Sequence, residues 1–135
     1  MKKQKINNIL NATIWIIQVF VSFTFISAGL FKLFQSVNEM AEMWPWVADH
    51  PLLVKVTGVF DLAGGLGLIL PNWLKTALKF TVYAAVGCFV LMIAAIIFHL
   101  SRGEAENIGF NVLIAFLSGL IIWARGKNRT RVNNH

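Results

Sequence analysis

Charge is the scarcest ingredient of this sequence. Only 13% of its 135 residues are Asp, Glu, Lys or Arg, about half the share of an ordinary soluble domain. There is a single cysteine, Cys88. No disulfide can therefore close within the chain, and no cysteine pair exists for metal binding or thiol exchange; packing is the plain reading of Cys88. Of three histidines only His99 falls at a membrane-associated position, which excludes two-histidine haem ligation between spans. No strand pattern precedes a Gly-rich phosphate loop. What is abundant is apolar: 57% of the residues are hydrophobic. A chain this short has too much surface to cover with so few charges. Disorder, collagen and a disulfide-stapled secreted module are excluded as well. What remains is an all-α integral membrane protein, a single membrane domain over residues 1–135.

A membrane helix needs roughly 20 mostly apolar residues. Four stretches qualify, at about 12–34, 52–70, 74–100 and 107–124. The second and fourth are only just long enough. Pro71-Asn72 reads as a tight turn between the second and third spans, and Ser101-Arg102-Gly103 ends the third. The first span follows a basic start and contains the small residues Ser27-Ala28-Gly29, as a cleaved signal would. Its apolar stretch exceeds the roughly 7–15-residue core of a signal peptide, and its removal would put the two tails on opposite faces, so it reads as a retained span. The expected architecture is a four-transmembrane-helix bundle.

In the first loop, Ser36 and Glu39 have the spacing of a capping box, which predicts a short helix. Val37, Met40, Ala41 and Trp44 would share one face of it. Such a segment could lie in the membrane interface with Trp44 and Trp46 at headgroup level; an ordinary loop with two belt tryptophans fits equally. Orientation follows from Lys and Arg near the span ends. Lys2, Lys3, Lys5, Lys75, Lys79, Arg125, Lys127, Arg129 and Arg131 lie on the side of the termini; Lys32, Lys55 and Arg102 lie on the other. All six acids (Glu39, Glu42, Asp49, Asp61, Glu104 and Glu106) sit on or toward that second side. Both termini are therefore expected in the cytoplasm. The basic tails act as topology determinants in contact with anionic lipid and call for no nucleic-acid partner.

An ionisable group inside a span marks a functional position by default. Lys32, Asp61, His99 and Asn111 come from four different spans, and each falls in the outer half of the bilayer. The inner half holds little comparable beyond Gln18. Each polar residue lies on a stripe of small residues suited to helix contact. The stripes are Gln18, Ser22, Phe25, Gly29 and Lys32; Thr57, Asp61 and Gly65; Thr81, Ala85, Cys88, Met92, Ala95 and His99; and Asn111, Ala115 and Gly119. A polar pocket in the outer half follows. Its candidate catalytic residues are Asp61 and His99, and its candidate binding residues are Lys32, Asn111, Trp44 and Trp46. Each has a plainer reading. Lys32 could snorkel to headgroups, His99 could be an interfacial histidine, and Asn111 could join helices. Lys32–Asp61 could be a structural pair, which is better evidence for specificity than for stability.

These same residues carry a resemblance. FISAGLFKL around Lys32, GVFDLAGGLGLILP around Asp61, the histidine closing span three and the asparagine in span four resemble the DoxX and DoxX-like family of small bacterial membrane proteins. The resemblance covers nearly the whole chain. The acid, Gly-rich helix and Leu-Pro exit is its most specific part, although the family pattern usually has Glu where this sequence has Asp61. It implies a four-span bundle in the bacterial cytoplasmic (inner) membrane. The family takes its name from a subunit of a thiosulfate–quinone oxidoreductase.

Three functions compete. The first is an accessory subunit of a membrane redox system whose pocket takes a quinone headgroup. Asp61 would exchange the proton and His99 or Lys32 would bind a carbonyl. Electrons would come from a partner protein, because the chain has no cluster ligands, thiol pair or flavin motif. The second is a non-catalytic scaffold or assembly factor, using the Ser36–Pro51 loop as its contact surface. The third is a small transporter, against which the strong charge asymmetry argues.

Overall fold

The computed structural model describes residues 2–74 and 79–133. Among them the chain forms six α-helices and no strand. These are α1 (Lys2–Phe34), α2 (Val37–Met43), α3 (Trp46–Asp49), α4 (Pro51–Leu74), α5 (Lys79–Ser101) and α6 (Gly109–Asn133), with a 3-10 turn at Ala105–Asn107. Four segments are long and apolar enough to cross a membrane: Lys2–Phe34, Pro51–Pro71, Lys79–Ser101 and Gly109–Gly126. The four long helices form a ring in chain order. α1 packs most extensively on α4, α4 on α5, α5 on α6, and α6 closes back on α1. Hereafter the "termini end" holds the start of α1 and the end of α6, and the "loop end" holds α2 and α3. The protein is a four-helix, multi-pass membrane bundle.

The helix bounds differ from the sequence expectation at four places, one of them the end of α6, which runs to Asn133 rather than stopping near Ala124. α1 begins at Lys2 rather than near Ala12, because its polar first turns have nothing to break them. The expected turn at Pro71-Asn72 is not there, since α4 runs through Pro71 to Leu74. Leu74 thus ends the second long helix instead of starting the third. Proline withholds the N–H that would answer the carbonyl four residues back, yet membrane helices tolerate it where neighbours satisfy the freed backbone. The carbonyl that Pro71 leaves unanswered is that of Gly67; one residue on, Gln18 Nε2 of α1 donates to the Leu68 carbonyl at 2.5 Å and ties this turn of α4 to α1. The connection itself, including Lys75, lies outside the described residues. Asn107 belongs to the 3-10 turn, so the fourth long helix starts at Gly109.

The α1–α4 contact is built on glycine. A Cβ at Gly29 would stand 2.8 Å from the Gly58 carbonyl and 2.8 Å from the Leu62 nitrogen. One at Gly65 would stand 2.9 Å from the Ser22 carbonyl and 3.0 Å from the Ile26 nitrogen. The two backbones therefore touch, as small residues permit in membrane helix pairs. Polar side chains fasten the seam, with Ser22 Oγ donating to the Gly65 carbonyl at 2.6 Å. The buried stripe on α1 is Ile14, Gln18, Val21, Ser22, Phe25 and Gly29, close to the one its spacing predicts. On α4 the buried residues are Val54, Gly58, Asp61, Gly65 and Leu68.

The main core joins all four long helices through Val21 and Phe25, Leu68, Ala85 and Cys88, and Ile114 and Ile121. Large apolar residues such as Ile16, Phe23, Ile97 and Phe116 point outward, where they suit lipid rather than water. A second, smaller core lies at the loop end. Met40, Val47 and Val54 are buried there against Phe31, Val37, Ala41 and Trp46. Ser36 caps α2 as its spacing predicts, with Oγ accepting from the Glu39 N–H at 3.2 Å. The Glu39 carboxylate does not close the capping box; it accepts from Gln35 Nε2 instead. The apolar face of α2 lies on the bundle, so the loop is a folded cap.

Gly29→Ala is expected to destabilise the bundle by about 1–3 kcal/mol, since the clash is with backbone. Gly119→Ala, where a Cβ meets nothing within 4 Å, should stay within about 0.5 kcal/mol of wild type. Reversible unfolding in mixed micelles measures both.

Candidate functional site

The backbone contact between α1 and α4 brings Lys32 beside Asp61. Lys32 Nζ donates to Asp61 Oδ2 at 2.7 Å. Asp61 is 3% exposed as a residue. The pair is asymmetric, because the Lys32 side chain keeps 20% of its surface accessible and Asp61 only 5%. The lysine reaches from near the end of α1 down to a carboxylate more than two turns inside α4, as its flexible stem allows. Replacing such a pair with apolar residues is often neutral, whereas removing one partner strands a buried charge.

A third residue belongs to this end, and the sequence reading counted it only as a topology charge. Lys55 Nζ donates to the carbonyls of Lys32, Leu33 and Gln35 at 2.9, 3.1 and 3.1 Å. These lie at the C-terminus of α1, where helix carbonyls lack intrahelical partners and the dipole favours a cation. The signal was present in the sequence: a lysine in the opening turns of an apolar helix, at the level where the preceding long helix must end. Lys55 thereby fixes the backbone that carries Lys32.

The other candidates occupy different surroundings. His99 Nδ1 lies 2.8 Å from Glu104 Oε2, and Arg102 Nε donates to Glu104 Oε1 at 3.2 Å. The Gly64–Cys88 Sγ approach sets the register of α4 against α5. Counting helix rise from it puts His99 roughly 12 Å beyond Asp61 toward the loop end. His99 therefore belongs to a cap-side cluster. Next to it Phe98 meets Trp46 edge-on at 5.2 Å and His50 at 6.3 Å, and Arg102 stands over its ring. Trp44 packs edge-on against Phe31 at 5.7 Å. The two tryptophans thus tie the cap to α5 and α1. Asn111 is half-buried in the first turn of α6. The structure brings Lys32 and Asp61 together with Lys55 beside them, and it gives His99, Trp44 and Trp46 to the cap.

Sequence comparison then supplies the family. The sequence model of the DoxX-like family matches residues 16–121. The chain belongs to the DoxX-like family. No curated protein and no solved structure matches it. In this DoxX-like protein the matched stretch includes Lys32, Lys55, Asp61, His99 and Asn111. It stops short of Arg125.

Two outcomes are expected. Lys32→Met should destabilise the bundle by about 3 kcal/mol by stranding Asp61, and Lys32→Met with Asp61→Leu should recover most of that loss; micelle unfolding of the two variants checks the cycle. The hydrogen bonds from His99 and Arg102 hold Glu104 below its ordinary value of 4.5. A depressed folded-state carboxylate stabilises above its unfolded value and loses that contribution as pH falls through the folded one. Cap docking, followed by Trp46 fluorescence, should therefore weaken as pH drops below 4.5. Glu104→Gln should remove that dependence.

Proposed function

We propose that this DoxX-like protein is an accessory subunit of a membrane redox system, with a quinone headgroup site in the loop-end half of the bundle. The observation behind this reading is the Lys32–Asp61 pair, a carboxylate at 3% exposure held by an amine that keeps one accessible edge. The donor set fits a quinone carbonyl: an ammonium donor next to a group able to hold one proton. A bound quinone supplies two-electron, two-proton carrier chemistry. Lys32 would donate a hydrogen bond to its carbonyl, and Asp61 would hold or release the proton. Lys55 would keep the α1 terminus in place, and the Trp44–Trp46 cap would shield the pair from water. Electrons would come from a partner subunit. The charge asymmetry supports cytoplasmic termini in a bacterial inner membrane, with the site in the outer leaflet half.

A second reading has its own support. Lys32 and Asp61 already satisfy one another at 2.7 Å, as a structural pin would, and the folded cap offers a contact surface for a scaffold. Native mass spectrometry of the protein gently extracted from its own membrane separates the two. A redox subunit should carry a quinone-mass adduct that Asp61→Asn loses while unfolding and partner stoichiometry hold. A stoichiometric partner with no small ligand, unchanged in Asp61→Asn, leaves the scaffold.

A further inference from the structure

The termini end holds a second polar cluster, unrelated to the Lys32–Asp61 site. Gln18 is fully buried on α1, with both ends of its amide engaged. Nε2 donates to the Leu68 carbonyl of α4 at 2.5 Å, and Oε1 accepts from Arg125 Nε of α6 at 3.0 Å. Arg125 Nη1 donates to Asn11 Oδ1 at 2.8 Å. The guanidinium carbon stands 5.6 Å from the centroid of the Trp15 ring. Arg125 Nη2 is buried and has no acceptor among the described residues.

Among the described residues this cation has neutral acceptors and no carboxylate. All six Asp and Glu of the sequence, at 39, 42, 49, 61, 104 and 106, belong to the loop-end half. The deepest of them, Asp61, lies seven residues along α4 from Leu68, about 10 Å by helix rise. A half-buried guanidinium between apolar helices leaves charge uncompensated unless an anion joins it. Its geometry is already set for one. Gln18 fixes one edge of the fork and Trp15 covers a face, so the planar donor array is pre-oriented for two parallel hydrogen bonds to an oxyanion. Asn11 is exposed. Its amide oxygen, on Nη1, stands where one anion oxygen would sit; turning it toward water would leave Nη1 and Nη2 as the donor pair.

We propose that Arg125, positioned by Gln18 and Asn11, is a binding site for a phosphate oxyanion. A phospholipid phosphodiester and free inorganic phosphate share that chemistry. The place of the site at the end of a membrane span, below the lysines at 2, 3 and 5, favours the headgroup of an anionic phospholipid. The site does not depend on any reading of Asp61.

The full chain in mixed micelles, offered equal phosphatidylglycerol and phosphatidylcholine, should retain phosphatidylglycerol about tenfold more in native mass spectra. Arg125→Gln should abolish the preference. Because that variant could fail to fold, Asn11→Asp is the second arm. It changes an exposed residue and supplies the guanidinium with an internal carboxylate, so the lipid preference should disappear while the unfolding temperature stays at or above wild type. Inorganic phosphate added alone should leave the lipid adduct in place. If instead it binds in an Arg125-dependent way and displaces the lipid, the oxyanion site stands and its ligand is the soluble ion. Equal phosphatidylglycerol preference in wild type and both variants, or no anion adduct on wild type, overturns the proposal.

Discussion

The close approach of α1 and α4 is the constraint on which the other polar contacts depend. Gly29, Gly58 and Gly65 let one backbone rest on the other. In lipid, where apolar surface gains little by leaving its solvent, such packing and the hydrogen bonds it permits supply the association energy. The seam carries Gln18 on the Leu68 carbonyl, Ser22 on the Gly65 carbonyl, Lys32 on Asp61 and Lys55 on the end of α1. Each of these four needs a short interhelical distance. Widening the seam by a methyl group would loosen them together, so the glycines and the polar residues act as one device.

The bundle has two polar centres with opposite character. At the loop end a carboxylate lies inside the protein and meets an amine, and a folded aromatic cap covers that end. At the termini end a guanidinium meets neutral amides at a seam shared by α1, α4 and α6. At the first centre the buried acid is paired within the chain. The second is balanced by no acid among the described residues. Between them lies the apolar core of Val21, Phe25, Leu68, Ala85, Cys88, Ile114 and Ile121. Segregation of all six acids toward one end is thus both an orientation signal and the reason why Arg125 lacks a carboxylate.

Membership of the DoxX-like family accounts for the four-span plan and for the matched region from residue 16 to 121. It says little about chemistry, because function resides in particular side chains rather than in a bundle. Here those side chains are few. Lys32 and Asp61 suffice for a proton-holding, carbonyl-binding pair, and equally for a structural pin. His99, held by Glu104, shapes the cap above them.

Composition and hydropathy alone determined the all-helical membrane class and the four spans, because a lipid solvent permits so few solutions for an exposed backbone. Helical spacing was enough to place Gln18, Ser22, Phe25 and Gly29 on the buried face of α1, and Ser36 before Glu39 was enough for the α2 cap, since both depend on neighbours within a turn or two. The tertiary structure decided the rest. Pro71 looked like a turn because its local preference is to end helices, and only its neighbours reveal that α4 continues. His99 seemed to belong with Asp61 because both occupy the same half of the bilayer, but the sequence alone does not fix how far one helix is shifted along its neighbour. The register of α4 against α5 and the fold of the loop gave His99 to Glu104. Lys55 and Arg125 read as surface charges for the same reason: their partners are 20 to 114 residues away in the chain, and only packing brings them within hydrogen-bonding distance.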